Sequence, residues 1–318
     1  MCSKLRSVLA VSICLFLIMP DAFGWNSIGH MASAEVAYKL LTTKQQTRVI
    51  ALLKLNPDYK LWLSYIPAKT SVANRDMYIF MMAATWPDEI KESNSGYKKD
   101  GDIAPNTPEA TSNAGYTDKT MHEYWHFVDV PFSMDGTSPL PPTPSVNAQT
   151  QIAALRKDIA SDEADAVKSF DLAWLMHLVG DVHQPLHCST RITAGKPSGD
   201  EGGNLVVLTG SPDELHAYWD DLLGDGSTKN FSTAVAAAKL LGTPDAAAAA
   251  DLNEADWVQE SFRLAQSNVY VDPPIGPALG PYTASSSATY KSNSLELAQK
   301  QIALAGARLA GVINAELK

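Results

Sequence analysis

Residues 177–187 read His177-Leu178-Val179-Gly180-Asp181-Val182-His183-Gln184-Pro185-Leu186-His187, at the end of an apolar stretch that begins near Ala164. Apolar residues from Ala164 to Leu178 recur with the period of an α-helix. His177 and Asp181, four apart, therefore share one face and can meet a single metal ion. Pro185 turns the chain, and His187 can reach a neighbouring ion from the far side. A single buried histidine is most often a hydrogen-bonded core residue, but three histidines and an aspartate within 11 residues are not explained that way.

Working outward, the same helical period recurs at Met31–Leu41, Lys44–Leu55, Asp76–Thr85, Gln149–Ile159, Leu215–Leu223, Thr233–Leu241, Ala255–Ser267 and Ser294–Leu317. The Ala246–Ala250 tract reads as a helix start, and strand signals are scarce. The best strand candidate is Asn204–Leu208, which follows Gly202-Gly203. Glu92–Thr120, Pro131–Ser145 and Tyr270–Tyr290 read as long loops, and at least one of them should rim a cleft. The expected fold is all-α, a helical bundle with long connections.

The N-terminus carries Lys4 and Arg6, an apolar run from Val8 to Met19, and Ala22-Phe23-Gly24. This pattern predicts a cleaved secretory signal over residues 1–24 and a periplasmic or secreted mature protein starting at Trp25. The apolar run is short of the roughly 20 residues a spanning helix needs. From 318 residues, loss of 24 leaves 294, read as one catalytic domain over 25–318. Cys2 and Cys14 leave with the leader, so Cys188 has no disulfide partner. Losing Lys4, Arg6 and Asp21 takes the formal charge from −10 to −11. So acidic a chain is a poor long-range trap for duplex phosphates, and no basic stripe is evident in it. An anionic substrate would need local positive charge, which bound metal supplies.

Further candidate ligands repeat the first pattern. His216 and Asp220 again stand four apart, Trp125-His126-Phe127-Val128-Asp129 puts a histidine at a loop edge, and Asp88 and Lys91 sit where a helix ends. Cleavage before Trp25 would free an α-amine five residues ahead of His30. An amine and a carbonyl on one residue can chelate a metal.

Together these elements resemble the zinc-dependent nucleases of the S1 and P1 type, single-strand-specific enzymes that also act as 3′-nucleotidases. The intervals from Trp25 to His30, from His177 through Asp181 to His187, and from His216 to Asp220 carry the resemblance, with Gly202-Gly203-Asn204 between the last two groups. It implies a single-domain bundle of the phospholipase C/P1 nuclease type, acting as a monomer on single-stranded RNA, DNA and 3′-nucleotides.

The resemblance also implies three zinc ions per chain. One would be held by Asp88, His126, His177 and Asp181; a close neighbour by the Trp25 amine and carbonyl, His30 and the bridging Asp181; a more distant one by His187, His216 and Asp220. Lys91 and Asn204 would lie beside the phosphate, Phe127 would stack under a base and Asp129 would hydrogen-bond its edge. Two zincs about 3.5 to 4 Å apart supply a water activated near neutral pH. Asp88 would orient that water or accept its proton, leaving a 5′-phosphate on the product. His122 and His183 match no ligand position and read as loop residues or as supports behind the ligands. The polar insertion 92–120 departs from the fungal members and leaves substrate preference open. The nearest alternative, a zinc-dependent phospholipase C, has a longer Trp-to-His interval and usually Glu in place of the last Asp. A binding module without catalysis fits less well, because the distant zinc would have only three protein ligands.

Overall fold

Helix α6 (Asp165–Asp181) runs through the middle of the molecule, and every residue from Lys168 to Asp181 is buried. A helix that is apolar on all sides has no solvent face and must be surrounded. The computed structural model describes residues 24–92, 94–107, 110, 119–227, 229–283 and 287–318. Within these, α1 (Ser27–Leu40), α2 (Thr43–Leu53), α4 (Val72–Glu89), α5 (Ala148–Ile159) and α11 (Ala288–Glu316) all pack against α6. The expected leader lies outside the described residues except for Gly24, and so do residues 93, 108, 109 and 111–118 of the polar insertion.

The all-α expectation holds: the described residues are mostly helical and form one domain. Helices begin where the chain supplies an acceptor for otherwise orphaned amides. Asn26 caps α1, Ser71 caps α4, and Asn147 with Thr150 closes a reciprocal capping box on α5. Helix α4 extends past the expected end at Thr85, through Pro87 to Glu89, so Asp88 sits in its last turn. A short helix absent from the expected set, α3 (Tyr59–Tyr65), buries only Trp62. The remaining helices are α7 (Leu215–Asp220), α8 (Phe231–Leu240), α9 (Ala246–Ala250) and α10 (Glu254–Leu264).

The expected strand at Asn204–Leu208 does not form. Gly202 (φ 59°) and Gly203 (φ 89°) adopt left-handed backbone that leads into turns, and only isolated bridges follow, Val207 to Glu214 and Leu208 to Tyr282. The two strands present are β1 (Pro131–Ser133) and β2 (Thr190–Ile192), paired in parallel with Phe132 opposite Arg191. Part of the expected Pro131–Ser145 loop is thus strand. This pairing holds the segment after His126 alongside the segment after His187.

Candidate metal centre and nucleotide cleft

Three groups of metal-competent side chains come together at the C-terminal end of α6: His30, His177 and Asp181; Asp88, His126 and His177; and His187, His216 and Asp220. Within each group the ligand atoms lie inside 4.8 Å of one another. Helix α6 brings His177 and Asp181, the first turn of α1 brings His30, the last turn of α4 brings Asp88, and α7 brings His216 and Asp220. All are buried except Asp88, whose side chain is 14 % exposed.

Asp181 is the hub. Its Oδ1 lies 3.3 Å from His30 Nε2, and its Oδ2 lies 3.1 Å from His126 Nδ1 and 3.2 Å from His177 Nε2. Asp88 Oδ1 stands 3.5 Å from His177 Nε2 and 3.8 Å from His126 Nδ1. In the other group His187 Nε2 and His216 Nε2 are 3.0 Å apart, with Asp220 Oδ2 3.5 Å from the latter.

The donor chemistry fits metal. His177 Nδ1–H donates to the Ala84 carbonyl at 2.8 Å, His187 Nδ1–H to that of His126 at 2.6 Å, and His216 Nδ1–H to that of Gly202 at 2.8 Å. Each bond fixes the tautomer and leaves an Nε2 lone pair aimed into the cluster, the usual support of a metal-binding imidazole. Two such lone pairs 3.0 Å apart repel unless a cation lies between them. Asp181 Oδ1 and His30 Nε2, facing one another in the interior, have no hydrogen-bond partner, a costly arrangement in a protein core.

Electrostatics agree. Burial pushes the Asp220 carboxyl well above its ordinary range, and Asp221, Asp88 and Asp181 push it further, so its ionised form calls for a nearby cation. Burial also acts to raise Asp88 and Asp181. Lys91 and three imidazoles more than offset it at Asp88, held at about 2, and His177 and His187 do so at Asp181. Burial, with Lys91 nearby, pulls His126 down to about 3, leaving a neutral ring able to ligate.

Glycines permit the closest approaches. A Cβ on Gly180 would stand 2.7 Å from His30 Nδ1, and a Cβ on Gly24 would fall 1.8 Å from Asp181 Oδ1. The Gly24–Trp25 backbone therefore lies directly against the Asp181 carboxylate. Trp25 is fully buried, and Asn26 anchors the segment by donating to Asp221 Oδ1 at 2.7 Å and to the Gly224 carbonyl at 2.6 Å.

The expected substrate residues surround this cluster. Lys91 Nζ lies 3.0 Å from Asp88 Oδ1. Asn204 Nδ2 donates to the Glu201 carbonyl at 2.6 Å and lies 3.5 Å from His216 Nδ1. Phe127 and Asp129 are half-buried on the segment that β1 and β2 hold in place, where Val128 N donates to the His187 carbonyl at 2.6 Å. Burial, reinforced by Asp200, Asp102 and Glu201, pushes Asp129 up to about 7.

Three supporting residues escaped the sequence reading. Gln184 Nε2 donates to Asp220 Oδ1 at 2.9 Å, fixing that carboxylate. Asp200, fully buried, accepts from Arg191 N at 2.9 Å, from Gly203 N at 3.3 Å and from the Tyr270 hydroxyl at 3.0 Å, and so ties down the turn that carries Asn204. Arg191, also fully buried, places its Nε 3.3 Å from Asp200 Oδ2 and donates to the carbonyls of Gly276 and Ala278. Of these, only Gln184 lay inside a quoted motif. His183 is a support, its Nδ1 2.7 Å from the Val179 carbonyl and its Nε2 2.9 Å from Arg308 Nη1. His122 is buried with φ 51° and stacks on Trp125 at 3.9 Å.

Buried His/Asp groups paired in this way at one end of a helical bundle are a candidate metal centre. The chain belongs to the S1/P1 nuclease family, whose model matches residues 25–318, and is accordingly a nuclease acting on phosphodiester bonds. It is similar to Endonuclease 3 of Arabidopsis thaliana, 25 % identical over 332 aligned positions that cover 98 % of this chain and 95 % of the relative. It is also similar to Endonuclease 4 of the same plant, 26 % identical over 182 positions covering 49 % of this chain and 54 % of that relative.

Proposed function

We propose that the mature protein is an exported, monomeric endonuclease with three zinc ions. It hydrolyses single-stranded RNA and DNA to products carrying 5′-phosphates and also acts on 3′-nucleotides. The observation that carries this reading is the buried, unpartnered pair of Asp181 Oδ1 and His30 Nε2, set against the Gly24–Trp25 backbone. Asp88, His126, His177 and Asp181 would hold one zinc, Trp25, His30 and Asp181 a second, and His187, His216 and Asp220 a third. When bound, these ions supply an activated water and positive charge for the phosphoryl oxygens.

The chain's own groups do the rest. Asp88, kept ionised by Lys91 and three imidazoles, would orient the attacking water by accepting a hydrogen bond from it. Lys91 and the Asn204 amide would donate to phosphoryl oxygens; as the water oxygen bonds to phosphorus the bond to the 3′-oxygen breaks, that oxygen leaves as a hydroxyl by taking up a proton from the water, and the phosphate stays with the 5′ end of the next nucleotide. Phe127 offers an aromatic face to an unstacked base, which a single strand supplies and a duplex resists. Asp129 reads that base's edge. Support for export comes from the leader pattern and from a family match that begins at Trp25. Among the described residues no helix is long and apolar enough to cross a membrane.

The deciding experiment compares hydrolysis of single-stranded nucleic acid, duplex and phosphatidylcholine before and after chelation. Single-strand cleavage should vanish in EDTA and return with zinc. Unchanged activity in chelator, or preference for the lipid, would overturn the proposal.

A further inference from the structure

The acidic total charge conceals a local reversal. Residues 44–76 carry Lys44, Arg48, Lys54, Lys60, Lys69 and Arg75 against only Asp58 and Asp76, a formal +4 inside a chain of −10. Asp58 is engaged by the Trp86 indole N–H at 2.7 Å. Of the six cations, Arg48 is tied to Asp165 at 2.6 Å, whereas Lys44, Lys54, Lys60, Lys69 and Arg75 are exposed and make no ion pair among the described residues.

The same segment exposes apolar and aromatic surface. On α3 and at the start of α4, Leu61 is 46 %, Tyr65 41 % and Val72 76 % exposed. Leu61 and Tyr65 stand four apart and share a helix face. Lys229 Nζ sits 4.4 Å from the Tyr65 ring centroid and 3.2 Å from Glu89 Oε1. Glu89 directly follows Asp88 on α4. An aromatic ring, a cation held on it and the helix end that supplies a candidate ligand are therefore contiguous, with Lys60 and Lys69 flanking the ring in sequence.

We propose that α3 and the turn into α4 form a track for the polynucleotide beyond the scissile nucleotide, with Tyr65 stacking a base and Lys60, Lys69 and Arg75 pairing with phosphates. The inference rests on the nuclease reading of the cleft. Interleaved cations and aromatic rings suit a single strand because every base has a stackable face and every linkage a charge. Steering is local: the rest of the chain carries −14, the difference between −10 and +4, and repels a polyanion that approaches elsewhere.

The test compares the zinc-loaded wild type with Tyr65→Ala and with the triple variant Lys60→Gln, Lys69→Gln, Arg75→Gln on a long single-stranded oligonucleotide and on a dinucleotide. Tyr65→Ala should raise KM for the long substrate about tenfold. The triple variant should flatten the slope of log(kcat/KM) against log salt by about 2, near 0.7 for each cation lost. Both variants should match the wild type on the dinucleotide. Equal loss on both substrates, or no loss on the long one, would overturn the track. So would wild-type binding to anionic vesicles that the triple variant loses while cleaving the oligonucleotide normally. Failure of the wild type to cut either substrate would instead remove the nuclease reading itself.

Discussion

Replacing Asp200 gives the sharpest test of how the distant ligand group is built. Its carboxylate accepts from Arg191 N, Gly203 N and the Tyr270 hydroxyl and faces Arg191 Nε at 3.3 Å, all in full burial. Burial pushes Asp200 above its ordinary range, and these donors pull it back, so the charge depends on them. Asp200→Ala removes every acceptor and leaves the Arg191 guanidinium uncompensated, although its other nitrogens keep the Gly276 and Ala278 carbonyls. Breaking a buried pair in this way costs about 3 to 5 kcal/mol. Asp200→Asn also leaves the guanidinium uncompensated, but it keeps an oxygen for the two backbone amides, which should recover about 0.5 to 1.5 kcal/mol for each bond. Urea unfolding of chelated protein measures both without a contribution from metal binding. Because the Gly202 carbonyl holds His216, the alanine variant should also lose one zinc by elemental analysis while the Asp88 group keeps its own. An alanine variant within about 1 kcal/mol of wild type, or an asparagine variant as damaged as alanine, would refute this account of the turn.

Other outcomes follow from the same geometry. Asp181→Asn should lose more than one zinc per chain, since its two oxygens face different histidines; full occupancy would remove it as a bridge. Gly180→Ala should lower zinc content by displacing His30, while helix propensity offsets part of the clash by about 1 kcal/mol, so chelated-protein stability should change less than metal content. Phe127→Ala should weaken nucleotide binding at unchanged zinc content, which calorimetry and elemental analysis check together. Asp129, raised in the folded state to about 7 from 3.8, binds a proton that the unfolded chain releases earlier. Its contribution therefore falls as pH rises between those values and is flat above them. In chelated protein, Asp129→Asn should gain stability relative to wild type on going from about pH 4 to about pH 8; a constant difference would show that the carboxyl is not raised.

What could be read from the sequence was what is local. Helix spacing placed His177 with Asp181 and His216 with Asp220 on common faces because one turn separates them in any α-helix. The joining of His30 to Asp181 rests on Gly180 and Gly24, whose missing side chains say nothing until a neighbour is known. Asp200 and Arg191 stand nine apart in a stretch with no helical period, and Tyr270 lies 70 residues further on, so no local pattern announced them. The strand expectation at Asn204–Leu208 failed because the two left-handed glycines open a turn rather than a ladder, and β1 and β2 were missed because three residues cannot show an alternation. Helix α3 buries one residue, too few to mark a period. The basic segment disappeared when charge was summed over the whole chain.

On the proposed export, which cleaves the chain before Trp25, the burial of the Gly24–Trp25 peptide also sets an order of events. Both residues are inaccessible in the folded chain, with Gly24 against Asp181 and Trp25 among Ala32, Ala298 and Ile302. A peptidase needs an exposed, extended substrate, and this bond is neither once α1 has docked on α11. Cleavage there would have to come before folding is complete, and a precursor that folded first would keep the bond protected, with Gly24 against the Asp181 carboxylate.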